Sequence, residues 1–260
     1  MADASRKVLY VTATLPALTV TFIYREIFRL RSIGVGVDCV SMNTPAESEI
    51  SDDARSLKSD TVYLDAVNLV AKFIAFIVEM VVHPVRVVRC IGIVFAARPM
   101  QGARDYPRLI YHLIEAAYLN RNLDMRQYTH IHAHFINGPT SITMFLSELS
   151  EVPFSFTMHA SMIWLDPIAF RNKLDRCAFC ASISQYNAEY VAGEYGAEFA
   201  EKIRIVHCGI DPEPAPLDIS THDEGTPLRL LGVGQLNPRK GFHVLIEACD
   251  RLRKRGVDFH

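Results

Sequence analysis

The chain predicts an α/β fold: a parallel sheet with helices on both faces, followed by the start of a second domain of the same kind. Three observations carry this. Short β-branched runs alternate with helical segments along the first 210 residues, the pattern of strands joined by crossover helices. Composition then shifts at residues 211–227, where Pro212, Pro214, Pro216 and Pro227 stand among acidic residues without periodicity. A β-branched run, a glycine-containing loop and an amphipathic helix follow.

In order, residues 7–11 predict a first strand, and residues 21–31 a helix with Phe22, Ile23, Ile27 and Leu30 at helical spacing, stopped at Gly34 and Gly36. Strands are expected at 37–41 and 61–64. Two helices, 66–82 and 85–97, divide at His83-Pro84, because proline disfavours a helical residue before it and lacks the N–H the helix needs. A helix over 106–119 precedes a strand at 129–134 and a helix opened by Gly138-Pro139. Strands at 154–158 and 178–182, a helix at 185–195 capped by Ser184, and a strand at 203–206 complete the first domain. Beyond the linker, 228–233 predicts a strand and 242–254 a helix with Val244, Leu245, Ala248 and Leu252 inward, and 257–260 opens another strand. The expected organisation is a Rossmann-like domain over 1–215, a linker over 216–227, and an incomplete second Rossmann-like domain over 228–260.

Half of the 260 residues are apolar and the formal net charge is -2, which suits a large buried core and excludes a bulk basic field for nucleic acid. Cys39, Cys90, Cys177, Cys180, Cys208 and Cys249 are too sparse for a disulfide scaffold. Cys177 and Cys180 form one CxxC without a second ligand pair, so buried reduced thiols are expected. The polar N-terminus has no signal-peptide apolar region. Residues 66–97 are strongly apolar but interrupted by Lys72, Glu79, Arg86 and Arg89, which argues against a membrane-spanning helix. They read either as helices packed on the domain or as helices lying in a membrane interface.

Candidate chemistry sits at strand ends. His130, His132 and His134 alternate and share one strand face, with no carboxylate or cysteine nearby in sequence to complete a metal site. His134 and His159 each end a strand, where open α/β sheets bind ligands, and His159 could hydrogen-bond a substrate or move a proton. Ser184, Asn187 and Glu189 lie at another strand end, where capping is the alternative to ligand contact. The loop from Gly232 to Gly241 carries Gly234, Gln235, Arg239 and Lys240 ahead of a helix N-terminus, a setting suited to phosphate. Its spacing is neither of the two common glycine-rich phosphate motifs.

Together these pieces resemble the family-four glycosyltransferases of the GT-B fold, in the bacterial polysaccharide, colanic-acid-type branch. Leu15-Pro16-Ala17 through Thr21-Phe22-Ile23-Tyr24-Arg25-Glu26-Ile27 is similar to that branch's first loop and helix. The segments 129–135, 154–160, 182–187, 202–211 and 232–248 resemble its later motifs in the family's order. The resemblance implies retaining transfer of a sugar from a nucleotide-sugar donor to a saccharide or polyprenyl-linked acceptor, without a metal ion or other cofactor. It implies that His159 contacts the donor sugar as the catalytic histidine. Gly234, Gln235, Arg239 and Lys240 would face the donor, with Lys240 neutralising the diphosphate as negative charge grows on the leaving group. Pro16, Thr19, Thr21, His134, Asn137, Ser184, Asn187 and Glu189 would line the acceptor side of the crevice. The expected location is the cytoplasm, at the inner membrane face if residues 66–97 make that contact.

Departures are specific. Gln235 stands where the family usually has arginine, Thr19-Val20 replaces Ser-Glu, and Met162 stands where an acidic residue is frequent. The paired-glutamate motif of the donor domain has no counterpart before His260. The resulting expectation is a transferase by lineage that is inactive as these 260 residues. The alternatives are a non-catalytic acceptor-binding or membrane-associated module and a two-domain sugar-nucleotide epimerase.

Overall fold

The computed structural model describes residues 7–98, 102–159, 162–165, 167–209, 228–234 and 236–260, with the backbone alone for Arg239. The chain divides into two compact units, Met1–Ile210 and Asp211–His260. The linker expected at 216–227 lies outside the described residues.

The first unit runs β1 (Lys7–Thr14), α1 (Thr21–Ser32), β2 (Gly36–Asn43), α2 (Arg55–Ser59), β3 (Thr61–Tyr63), α3 (Leu69–Val82), α4 (Pro84–Ala96) and α5 (Asp105–Asn122). It continues with β4 (Tyr128–His134), α6 (Gly138–Ser150), β5 (Phe154–Met158), α7 (Met162–Leu165), α8 (Phe170–Arg176), β6 (Phe179–Ser182), α9 (Gln185–Tyr195) and β7 (Ile203–Ile205). All seven strands are parallel, in the order β3-β2-β1-β4-β5-β6-β7. The order reverses direction between β1 and β4, the position where open α/β sheets leave a crevice beyond their strand ends. The expected α/β class, with a parallel Rossmann-like sheet, is what the unit adopts.

Local chemistry sets the element ends. Asn68 caps α3 by accepting from the Val70 N–H at 2.8 Å, and Pro84 occupies the first turn of α4, where a missing N–H costs nothing. Ser184 caps α9 by accepting from the Asn187 N–H at 3.2 Å, as its sequence position predicted. Two apolar cores follow from the two covered sheet faces. On one, Val11, Ile131 and Phe156 pack under α4, α5 and α6. On the other, Tyr10, Val37 and Cys39 meet Ile23 and Ile27 of α1. Near-continuous apolar strands are what a doubly covered parallel sheet requires. Among the described residues, no helix is long and apolar enough to cross a membrane.

The second unit holds α10 (Phe242–Lys254), entered through Gly241 at φ 70°, a left-handed backbone that favours glycine. The strand expected over 228–233 is a correction. Only Leu228 bridges, in parallel with Phe259, supported by Leu230 N–H donating to the His260 carbonyl at 2.8 Å. Residues 231–233 have no strand partner, so no ladder forms there. The inward face expected for α10 is also corrected, since Val244 and Leu245 are exposed.

Candidate active site

The residues of interest gather where β1, β4 and β5 end against α1. Register puts Tyr10 beside His132 and His134 beside Thr157, so the period-two face predicted for the three histidines lies opposite Ser155 and Thr157. Ser155 Oγ meets both His130 Nε2 and His132 Nδ1 at 2.7 Å, and His132 Nε2 meets Thr157 Oγ1 at 3.0 Å. A hydroxyl can donate to one ring and accept from the other. His132 is therefore bonded at both ring nitrogens within the sheet, and His130 at Nε2.

His134 differs. It is 1% exposed, and its Nδ1 lies 3.0 Å from Nε2 of His159, which is 5% exposed. The other nitrogen of His134 has no hydrogen-bond partner, and faces Glu26 Oε2 at 3.8 Å. Tyr10 donates its hydroxyl to Glu26 Oε1 at 2.6 Å. Tyr10, Glu26, His134 and His159 thus form one polar line from the sheet interior to the crevice. The Phe22 and Phe135 rings pack against His159 at centroid distances of 4.7 and 4.9 Å, and against each other edge-on at 6.4 Å.

Burial decides the charge state. It lowers His159 to about 4 and, with the neighbouring histidines adding repulsion, His132 to about 3 and His134 well below the ordinary imidazole value. All three are neutral near pH 7. Burial raises Glu26, opposed by the Tyr10 hydrogen bond, and raises the Tyr10 hydroxyl, reinforced by Glu26.

The loop after β4 is held by a residue that sequence reasoning missed. Lys173 is fully buried on α8 and donates to the carbonyls of Ile136 at 2.5 Å, Ile168 at 2.8 Å and Asn137 at 3.3 Å. Within this loop Phe135 takes φ 71°, uncommon for a residue with a side chain, and its N–H donates to the Thr157 carbonyl at 3.1 Å. A left-handed turn supported by neighbouring strands fits a site held against its local preference. The signal for α8 was Phe170 and Leu174 four residues apart after Pro167, too short a run for periodicity to declare a helix.

The remaining predicted residues are distributed as follows. Pro16 is buried after a cis peptide bond, Thr19 is exposed, and Thr21 opens α1. Asn137 precedes α6, and its carbonyl accepts from Ser141 N–H at 3.0 Å. Asn187 is buried, while Glu189 is exposed and accepts from Gln185 at 3.0 Å. In the second unit, Lys240 is exposed in a single turn, Pro238–Lys240, and Gly234 precedes it. Gln235 and the Arg239 side chain lie outside the described residues.

Among the described residues, one group could hold a metal ion: Glu26, His132 and His134, whose ligand atoms lie within 4.8 Å of one another. The sequence showed no carboxylate near the histidines; folding supplies Glu26 from α1. Ligation by His132 would break one of its two hydroxyl contacts.

The first unit is thus a seven-stranded parallel α/β domain with a pair of neutral histidines beside its topological switch point. Residues 76–214, more than half of the chain, match the model of Glycosyltransferase Family 4, and the chain belongs to that family. A stretch of 62 residues is 39% identical to WcaL of Escherichia coli (strain K12), named for glycosyltransfer in colanic acid biosynthesis. Over 62 residues, identity is 42% with the amylovoran biosynthesis glycosyltransferase AmsK of Erwinia amylovora. Each match covers 23% of this chain and 14% of the relative's length. Among solved structures, a UDP-N-acetylglucosamine 2-epimerase from Rickettsia bellii superposes with a TM-score of 0.43 at 9% identity, over 78% of this chain and 45% of that one.

Proposed function

We propose that this chain belongs to a retaining sugar transferase of cell-surface polysaccharide synthesis, which moves a hexose from a nucleotide-sugar donor to a lipid-linked or polysaccharide acceptor. The observation that carries the reading is His159, neutral and tethered to His134 at the crevice of a Family 4 domain. With Nε2 engaged by His134, the neutral imidazole can accept from a sugar hydroxyl at Nδ1 without a fixed charge. Pro16, Thr19, Thr21, Asn137, Ser184, Asn187 and Glu189 belong to the acceptor side in this reading. The second unit offers Gly234, Gln235, Arg239 and Lys240 to the donor, with Lys240 against the diphosphate. No metal takes part: His132 keeps both nitrogens on Ser155 and Thr157. The protein works at the cytoplasmic membrane face, which residues 66–97 touch.

The test is donor hydrolysis or sugar transfer by the protein at the length of its relatives, comparing wild type with His159→Ala. A fall of about a hundredfold is expected for a lost catalytic group; equal rates would remove His159 from the reaction.

A second reading is a non-catalytic acceptor-binding or membrane-associated module. The exposed apolar side of α3, with Phe73, Ile77 and Val81, favours the membrane-associated form of it. Calorimetric titration of the 260-residue chain with nucleotide sugars separates the two. Saturable binding contradicts the module reading.

A further inference from the structure

Helix α3 is built inside out. Its inward stripe carries Lys72 and Glu79 with Ala75, all buried. Lys72 donates to Glu115 at 2.8 Å and to the Tyr111 hydroxyl at 2.9 Å, both on α5. Glu79 accepts from Asn120 at 2.8 Å and meets His83 Nδ1 at 2.7 Å. Its outward surface is apolar instead: exposed side chains run from Leu69 and Met80 at one edge, through Phe73, Ile77 and Val81, to Val82 at the other. At about 100° per residue, the exposed apolar arc covers roughly 220° of the helix. An ordinary surface helix turns a stripe of about 100° inward and shows water the remainder.

We infer that the α3–α4 hairpin is embedded in the headgroup–acyl boundary of an anionic membrane, with the outer surface of α3 in the apolar layer. This rests on the membrane-contact part of the proposed function and not on sugar transfer. The arc argues for lipid over a protein partner. A facing helix covers one stripe, whereas a fluid phase covers a convex surface on all its open sides. Charge argues the same way. Between residues 69 and 98 the one acidic residue, Glu79, is buried, while Arg89 and Arg98 are exposed. At 14 residues the helix is about 21 Å long, short of the ~30 Å hydrocarbon core, so it lies in the interface. Helix α3 packs on α4 and α5, leaving its outer side open. Turning Lys72 and Glu79 into hydrogen-bonded pairs removes from that side the charges that would oppose insertion.

The experiment is co-sedimentation of the full chain with vesicles of phosphatidylcholine alone, or with about a third phosphatidylglycerol, at low and high salt. Binding is expected on the anionic vesicles and reduced by salt. The double variant Ile77→Ser, Val81→Ser, which alters exposed positions and so keeps the native melting temperature, should weaken partitioning at least about tenfold. A Phe73→Trp reporter in a Trp164→Phe background should be quenched by brominated acyl chains. No sedimentation at low salt, unchanged binding by the double variant, or absence of quenching would overturn the inference. So would a dimer in sedimentation velocity that the same substitutions dissolve, since a second copy would then own the face. Sugar transfer is not read, so its failure leaves this result intact.

Discussion

His134 Nδ1 and His159 Nε2 stand 3.0 Å apart at the ends of adjacent strands, and one of the two nitrogens must carry the proton between them. Glu26 Oε2 lies on the far side of His134 and favours an N–H directed at it. The neutral Nε2–H tautomer of His134 then accepts from His159 Nε2–H, leaving His159 Nδ1 as an acceptor. Long-range ¹H–¹⁵N correlation spectra should show both rings as Nε2–H near pH 7. With Glu26→Gln the preference at His134 should weaken. An Nδ1–H signal for His134 in the wild type would refute the assignment.

Acid should destabilise the first unit earlier than carboxylate protonation alone would. The folded-state values of His132 and His159 are pulled down to about 3 and about 4, and that of His134 is also depressed. An unfolded imidazole takes up a proton near 6.5, where the folded ring does not. Their contribution is therefore complete above about 6.5 and is lost as pH falls, at about 1.4 kcal/mol per unit for each ring until its folded value is reached. Glu26, raised by burial, acts in the opposite sense and offsets part of this. Urea unfolding at pH 7.5 and pH 5 should give a lower midpoint at pH 5, with a smaller difference in His159→Asn. Equal midpoints for the wild type would contradict the buried neutral state.

Lys173→Met should cost about 3 kcal/mol, because it strands the buried carbonyls that the ammonium serves. Loss of order around Phe135 and Asn137 should accompany it. Thermal unfolding measures the first effect, and faster amide exchange at Phe135 the second. An unchanged melting temperature would mean that other donors take over those carbonyls.

Thiol chemistry should divide the cysteines. Cys39, Cys90, Cys177 and Cys180 are buried, and burial raises the first three to about 12 and lifts Cys180 well above the ordinary thiol range. Cys208 is exposed and Cys249 half-buried. A disulfide reagent should modify two thiols in the native chain and six after denaturation. Rapid native reaction at Cys177 or Cys180 would show that this CxxC opens.

Periodicity and breakers in the sequence determined the parallel α/β class, the break at His83-Pro84, the cap at Ser184, and the placement of His134 and His159 at strand ends. These are local properties, set by i+2 or i+3.6 spacing and by residues that begin or end a backbone ladder. The short helices α2, α7 and α8 escaped notice because they span less than two turns or little more. The strand over 228–233 failed because a ladder needs a neighbour, which residues 231–233 lack. Only the tertiary structure decided that Glu26, 108 positions before His134, would stand beside it. It also decided that Lys173 would anchor the loop after β4, and that α3 would turn its charges inward. Each outcome depends on which elements the sheet order brings together, and that information lies in packing between distant segments, where no spacing along the chain records it.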